Sequence, residues 1–228
     1  SVAVAADDLV LEIANGTLEA WRADSGADWA LSYAALVRPG AFAGVIDAGL
    51  AEPVRVETGW QSIAVDGVGA SGADVGGRVV IAGATVAVPG YGLGAKGVEA
   101  VLSIPPSESA PLARFSIARL GHGGVSPLVV PLAAEGTVWA GDSGLTFGVE
   151  LRDLAANKWI EINGSHNPET GEGEGLIAMP ATLLAPSGRQ LNDLTPILEP
   201  LGAVAGSVRA EVRLGWTENG LRQSGFLG

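Results

Sequence analysis

The side chains best suited to metal chemistry lie in one acidic, glycine-rich segment, residues 163–175. Five of them carry ligand oxygens: Asn163, Asn167, Glu169, Glu172 and Glu174. Oxygen ligands grouped in this way bind Ca²⁺. The spacing does not follow that of an EF-hand loop, and the segment contains no Asp. The pattern therefore favours an exposed loop over a calcium site, and we expect neither a metal ion nor a cofactor.

The two histidines are the imidazoles available for catalysis, and they lie far apart in the sequence. His122 stands in the glycine-rich stretch Gly121–Gly124, and His166 stands in the acidic segment. Zinc catalysis uses two or three converging histidines. A serine nucleophile is often presented on a Gly-x-Ser-x-Gly turn, which this sequence lacks. We therefore predict a turn residue with positive φ at His122, a turn at residues 141–144, and no catalytic residue.

One glycine-rich segment, Gly92-Leu-Gly94-Ala-Lys-Gly97, matches the letter pattern of a dinucleotide-binding fingerprint. That fingerprint needs a helix starting inside it, so that the helix N-terminus meets the pyrophosphate. Residues 98–104 are instead rich in β-branched side chains and stop at two prolines. The acidic residue expected about 20 positions further on is also missing. The segment is typical of a hairpin loop.

Carboxylates near predicted strand ends and exposed tryptophans would both be used by a protein that acts on or binds sugars. Glycoside hydrolysis needs two carboxylates paired in space, and nothing selects two from Asp47, Asp66, Asp142, Glu150 and Asp153. Among the six tryptophans, Trp159 and Trp216 lie in alternating strands and are assigned to the core. Trp139, beside the predicted turn at residues 141–144, is the candidate for exposure and for a glycan contact.

The composition excludes several classes of partner. A net charge of -12 disfavours nucleic acid and anionic membranes, which attract Lys and Arg. The absence of Cys excludes disulfides and thiolate metal sites. Charged residues make up 17% of the chain against a typical value of about 25%, and the mean hydropathy is +0.33. This combination indicates that partners cover part of the surface, and we expect the interface to include Val2, Val4, Phe226 and Leu227. The alternative is that the Ala- and Gly-rich composition raises the mean hydropathy without forming apolar patches.

The elements that would position these residues are short strands. The 34 Gly and 13 Pro residues leave little room for long helices, and the segments between them alternate with period 2. Asn-Gly pairs at residues 15–16 and 163–164 predict turns, and residues 78–88 read as two strands around Gly83. A helix is predicted at Asp28–Val37, capped by Ser25 or Asp28, and at most one helical turn at Asp193–Leu201.

We therefore predict an all-β protein: an antiparallel sandwich or barrel, jelly-roll-like, with long Gly/Pro-rich loops and at most one or two short helices. Residues 1–228 are expected to form one domain. A subdivision into residues 1–162 and 176–228, across the 163–175 loop, is the alternative.

The expected function is structural and non-enzymatic, as one subunit of an assembly built from copies of the chain and neighbouring structural proteins. By analogy of class, a phage-type virion is the expected setting, as a capsid decoration, a tail or baseplate part, or a fibre or spike. The first residues lack a basic region and a long apolar stretch. We therefore expect synthesis in the cytoplasm without a signal peptide, and a place in a virion or extracellular particle. The alternatives are a lectin-like module that binds a carbohydrate or receptor and, ranked lower, a polysaccharide-active hydrolase.

Overall fold

A computed structural model describes residues 2–6, 9–22, 29–46, 54–70, 76–104, 110–123, 127–217 and 220–228 of the chain. Almost all of the regular structure in these residues is extended. The strands are β1 (Val2–Ala6), β2 (Leu9–Arg22), β3 (Trp29–Val37), β4 (Gly40–Ile46), β5 (Val54–Trp60), β6 (Ser62–Ala70), β7 (Gly76–Val88), β8 (Leu93–Ile104), β9 (Ala113–His122), β10 (Leu132–Gly141), β11 (Gly144–Arg152), β12 (Lys158–His166), β13 (Gly173–Leu184), β14 (Gly206–Thr217) and β15 (Gly220–Leu227).

The strands join into a single antiparallel sheet. Its main path runs β1-β2-β3-β6-β7-β8-β9-β10-β11-β12-β13-β14-β15, and the β4–β5 hairpin attaches to β7 through β5. The prediction of an all-β, antiparallel protein with only short helices is confirmed. The strand order differs from a jelly roll, because nearly every strand pairs with its neighbours in sequence, as in a meander.

The helical segments of the described residues are three 3₁₀ helices, Pro89–Tyr91, Leu191–Asp193 and Pro196–Leu201. The helix predicted at Asp28–Val37 is wrong, since β3 occupies all of that range except Asp28, which lies outside the described residues with Ser25. Trp29, Leu31, Tyr33, Ala35 and Val37 alternate along the segment, and this period matches pairing with β2 and β6.

Several predicted loops are strand in the structure. Asn15–Gly16 lies inside β2, where the register with β3 shifts. The predicted loop at residues 163–175 shrinks to residues 167–172, because β12 runs to His166 and β13 starts at Gly173. Residues 78–88 form one strand, β7, in which Gly83 has a φ of 61° beside a break in the register with β8. A glycine in the left-handed region at such a break is typical of a β-bulge.

Aromatic rings cover glycines on neighbouring strands throughout the sheet. The Phe115 ring lies over Gly136, the Phe147 ring over Gly164, and the Trp216 ring over Gly173. A Cβ added at any of these glycines would meet the ring. Glycine inside a strand normally weakens it, and an aromatic ring laid across the bare backbone restores packing.

We expect Gly164→Ala to destabilise the protein by about 1–3 kcal/mol, the usual cost of overpacking. The new Cβ would lie 2.5 Å from both Phe147 Cζ and the backbone oxygen of Glu174. Gly215→Ala is the matched control, since no heavy atom lies within 4 Å of its added Cβ. Urea unfolding of both variants tests this, and equal midpoints would contradict the packing role of the ring.

A small core packs against one face of the sheet. Its cluster of buried residues is Leu132, Ala134, Leu151, Trp159 and Leu194, and it lies on one face of β10–β12. The accessible surface of the chain is 14463 Å², whereas a compact monomer of 22.9 kDa exposes roughly 9600 Å² by the usual scaling. Most described residues of the sheet are half-buried or exposed, and few are buried.

Candidate functional site

The two faces of the sheet differ sharply in chemistry, and the strand registers assign each residue to a face, because directly paired residues point to the same side. One face, called the apolar face below, is almost free of charge from β3 to β15. Its members are Tyr33, Ala35, Val37, Ile63, Val65, Gly67, Gly77, Val79, Ile81, Val98, Ala100, Leu102, Ala113, Phe115, Ile117, Ala134, Gly136, Val138, Leu145, Phe147, Val149, Leu151, Ile160, Ile162, Gly164, His166, Gly173, Gly175, Ile177, Met179, Ala210, Val212, Leu214, Trp216, Leu221, Gln223, Gly225 and Leu227.

All described strands belong to one sheet, and their close backbone contacts are between neighbours in that sheet. The described strands therefore form no second sheet over the apolar face. Val65, Val79 and Leu102 on this face are half-buried. The exposed fraction rises toward the last strand, to 59% at Leu221 and 75% at Leu227. The face is a continuous apolar surface that reaches the last strand of the sheet.

Among the described residues, the segment at residues 185–204 that connects β13 to β14 closes one part of the face. Leu194 of this segment packs against the core cluster beside Trp159, which is fully buried. The Trp159 indole N–H donates to Asp153 Oδ2 at 3.1 Å. The Arg189 guanidinium lies 4.5 Å from the Trp159 ring centroid and donates to the backbone oxygen of Lys158. Trp159 is thus a core residue, as its alternating strand predicts.

A buried amide and a hydroxyl fix the closing segment in place. Gln190 donates from Nε2 to the backbone oxygens of Ala185 and Val204, and its Oε1 accepts from the Val204 N–H at 2.8 Å. Thr195 Oγ1 donates to the Leu128 backbone oxygen at 2.6 Å. A buried polar side chain with its hydrogen bonds satisfied specifies one arrangement of the chain around it. The closing segment is therefore a built element of the fold.

Asp153 couples this core to pH. Burial raises the pKa of its carboxyl, but hydrogen bonds from the Asn157 side chain and from the N–H groups of Asn157, Trp159 and Ala155 lower the pKa below the ordinary 3.8. A carboxyl whose pKa is lower in the folded state contributes stability above its unfolded pKa and loses it as pH falls through the folded pKa.

We expect Asp153→Asn to remove part of the acid sensitivity of the protein. Stability of the parent chain should decline as pH falls below about 3.8, and the variant, less stable near neutral pH, should decline less steeply over that window. Thermal unfolding from pH 2 to pH 7 measures both slopes. Parallel curves would show that Asp153 titrates alike in the folded and unfolded chain.

The opposite face, called the polar face below, carries a row of carboxylates across neighbouring strands. Glu99 pairs with Ser116, Ser116 with Glu135, Glu135 with Glu150, and Glu150 with Glu161. The row lines a trough of about 690 Å³, with Arg114, Thr137 and Asn163 also in its walls. Small residues at its base, Ser116 and Gly148, leave the space open.

Cations partly neutralise this row. Glu150 pairs with Arg152 and Lys158, and Lys158 also pairs with Glu161. Burial raises the pKa of Glu150, but hydrogen bonds and charge interactions with Arg152 and Lys158 together lower it by more. The pKa of Glu150 therefore lies below its ordinary value. The Glu161 hydrogen bond raises the pKa of Lys158, burial opposes this rise, and the charge of Glu150 adds to it, so that the pKa of Lys158 lies above its ordinary value. Glu150 and Lys158 therefore remain charged at neutral pH, and the trough suits polar ligands.

The five residues of the calcium interpretation lie on two strands and the turn between them. Asn163 and Glu174 line one groove, and Asn167, Glu172 and Glu174 line a second. Asn163 lies on β12 opposite Leu176, and Glu174 lies on β13 opposite Ser165. Asn167 Oδ1 accepts from the N–H groups of Glu169 and Thr170, which shapes the β12–β13 turn. In the described part of the chain, no three or more His, Cys, Asp or Glu side chains are grouped to hold a metal ion.

The histidines and the exposed tryptophan take separate places. His122 is the last residue of β9 and lies opposite Leu93, so the turn predicted at His122 is wrong. Among the described residues other than glycine, Ala156 is the one with a positive φ. His166 Nδ1 accepts from the Trp216 indole N–H at 3.2 Å on the apolar face, where Trp216 is only half-buried. Trp139 is 40% exposed on the polar face.

The four predicted interface residues lie on the two outermost strands of the main path. Val2 and Val4 are in β1, and Phe226 and Leu227 are in β15. Phe226 is 45% exposed and Leu227 is 75% exposed. The Arg209 guanidinium lies 5.1 Å from the Phe226 ring centroid.

Comparison with known proteins adds no relative: no family model, no curated protein and no solved structure matches the chain. Across the described residues, no helix has the length and apolar character needed to span a membrane. The two faces and the edges of the sheet are therefore the features that bear on function.

The sequence patterns were not used to identify either face of the sheet as a possible functional surface. The alternation within each strand is visible in the sequence, with Val208, Ala210, Val212, Leu214 and Trp216 on one side of β14. The registers that align all strands with their apolar sides together are set by pairing between strands. Assigning each alternating strand to one side of one sheet would have found the apolar face. The carboxylate row additionally needed the registers.

Proposed function

We propose that the protein is a non-enzymatic structural subunit of a multi-subunit assembly, and that the apolar face is its main contact surface. The observation that carries this proposal is the amphipathic sheet: one face is apolar over eleven strands, β3 and β6–β15, and the described strands form no second sheet to pack against it. Such a surface is unfavourable in water and promotes aggregation unless an apolar partner covers it.

The size of the face fits a protein interface. Eleven strands at about 4.8 Å spacing span roughly 48 Å, and five to six residues along each strand add about 20 Å. The resulting area, on the order of 1000 Å², is comparable to the roughly 800 Å² per partner of a standard protein interface. A second copy of the chain offers a matching apolar surface, and two such sheets packed face to face would form a sandwich.

The assembly that the composition suggests, a phage-type virion or similar extracellular particle, is the setting we propose for this subunit. Its low charge and uncovered apolar face are both properties of chains that function inside a larger particle. A glycan contact by such a particle is proposed at Trp139, which is exposed on the polar face two residues from Thr137 of the trough.

A second candidate occupant of the apolar face is the hydrocarbon part of a lipid. Among the members of the face, the hydrogen-bonding side chains are Tyr33, His166, Trp216 and Gln223, and the Trp216 N–H is already bonded to His166. Protein interfaces carry about one hydrogen bond per 100–200 Å², whereas an acyl chain needs none. The scarcity of polar groups on this face favours a hydrocarbon ligand as the alternative.

Native mass spectrometry of the purified protein, with extraction of bound lipids, tests these proposals. A complex of defined copy number without lipid supports the structural subunit. A single chain that retains lipid supports the second candidate and contradicts the first. A stable, lipid-free monomer at micromolar concentration would contradict both.

A further inference from the structure

One edge of the sheet, the free side of β15, is unusually accessible. Strand β15 pairs with β14 from Ala210↔Leu227 to Thr217↔Gly220 without a register shift. Within the described residues, β14 is the only partner of β15. All eight residues of β15 are exposed. Edge strands of this kind are templates for pairing with another chain.

The backbone groups on the free side of β15 follow from the hydrogen bonds to β14. Arg209 and Gly228 exchange two backbone hydrogen bonds, each 3.0 Å long. In an antiparallel ladder, hydrogen-bonded and non-hydrogen-bonded pairs alternate. The even-numbered residues of β15 therefore bond to β14. The N–H and C=O groups of Leu221, Gln223, Gly225 and Leu227 point away from the sheet.

The edge carries few of the features that prevent strand addition. Protected edges use proline, bulges or several charged side chains. Strand β15 has no proline and no bulge, and Arg222 is its one charged residue. Leu221, Gln223, Gly225 and Leu227 lie on the side of the apolar face.

We propose that β15 pairs with β15 of a second copy, antiparallel, about a two-fold axis perpendicular to the sheet at Ser224. Leu221 then lies opposite the partner's Leu227, and Gln223 lies opposite the partner's Gly225. All four outward residues of each copy bond across the axis, which gives eight backbone hydrogen bonds. Sliding the strands by two residues leaves three outward residues per copy in register and six bonds.

The side chains fit the same register. On the polar face, Arg222 lies opposite the partner's Phe226, and a ring accepts a cation over its surface, as Phe226 already does from Arg209 at 5.1 Å. On the apolar face, leucine meets leucine at both ends of the pairing. Because the two-fold axis is perpendicular to the sheet, the apolar faces of the two copies lie on the same side of the joined sheet. The inference deepens the proposed assembly role, on which it rests, by naming an edge contact that extends the apolar face.

A cysteine placed on the axis tests the pairing directly, because the chain contains no Cys. Ser224 would face the partner's Ser224 in a non-hydrogen-bonded pair with Cα atoms about 4.5 Å apart, within the range that a disulfide spans. We expect S224C to form a disulfide-linked dimer rapidly under copper–phenanthroline oxidation. Arg222→Cys is the control, since the register displaces its two copies by about 13 Å along the strands. Equal cross-linking of the two variants would overturn the proposal.

A proline at an outward position provides a second test that leaves the pairing with β14 intact. Gln223→Pro removes an N–H that points away from the sheet, a position where edge strands tolerate proline. We expect at least a tenfold weaker self-association by sedimentation equilibrium than for Gln223→Ala. If the wild-type chain forms oligomers but the S224C variant fails to cross-link, the edge pairing is refuted and the apolar-face proposal stands. A wild-type chain that is monomeric throughout would refute both.

Discussion

Replacing Trp159 with alanine is expected to lower the free energy of unfolding by about 3–5 kcal/mol, the usual range for deleting a buried large aromatic side chain. Trp159 is fully buried in the small core cluster. The change would also release Asp153 and remove the ring beneath Arg189. Because the core holds few other residues, the loss should loosen the closing segment at residues 185–204.

Chemical unfolding monitored by circular dichroism measures this effect. Leu183→Ala is the control, since Leu183 is 74% exposed and should change stability by no more than about 0.5 kcal/mol. Hydrogen exchange should locate the damage in residues 185–204. Similar midpoints for the two variants would mean that Trp159 does not anchor the core.

A lysine at Val79 is expected to abolish assembly while the single chain stays folded. Val79 lies on the uncovered part of the apolar face, between Val65 and Leu102. In an isolated chain, the new ammonium would remain in water. In the assembly it would be buried without a partner, which costs several kcal/mol. We expect association to weaken at least about 100-fold, corresponding to roughly 2.7 kcal/mol.

Val80→Lys is the matched control for this substitution. Val80 is the next residue of β7, and its register with Ala64 and Val101 places it on the polar face. Sedimentation velocity compares the two variants with the parent chain. If Val80→Lys dissociated the assembly as strongly as Val79→Lys, the apolar face would not be the specific contact surface.

Local patterns in the sequence are sufficient for much of the fold. Period-2 alternation identifies strands such as Val208–Trp216. Within the segment predicted to form at most one helical turn, Asp193–Leu201, the structure has a six-residue 3₁₀ helix at Pro196–Leu201, which is about two turns. The helix predicted at residues 28–37 failed because the absence of breakers outweighed an alternation that was equally visible. Strand pairing with β2 and β6 decided between the two.

The Asn-Gly pairs show a second limit of local reasoning. Both pairs are favourable for tight turns, yet Asn15–Gly16 and Asn163–Gly164 lie within strands. At Gly164, the Phe147 ring from β11 covers the bare backbone. A cross-strand partner of this kind is specified by the register, which the sequence of one segment does not contain.

The same limit applies to the surfaces on which the proposed function depends. Glu99, Glu135, Glu150 and Glu161 are separated widely in the sequence, and only the registers of β8–β12 bring them to one trough. The shortage of charge did indicate that some apolar side chains lie outside the core. The registers then place a continuous set of apolar side chains from β3 and β6–β15 on one face, whereas Leu36, Val68, Trp139 and Phe226 are exposed on the other.

The rate at which single cysteines on the two faces react with a maleimide is the most direct test of the central claim, that the apolar face is covered in the functional state. The chain has no native Cys, so Val79→Cys and Val80→Cys report on the two faces separately. We predict that Val79→Cys in the native assembly reacts at least tenfold more slowly than Val80→Cys, and that the difference disappears when the assembly is dissociated. Equal, rapid labelling of both cysteines in the native state would contradict the account.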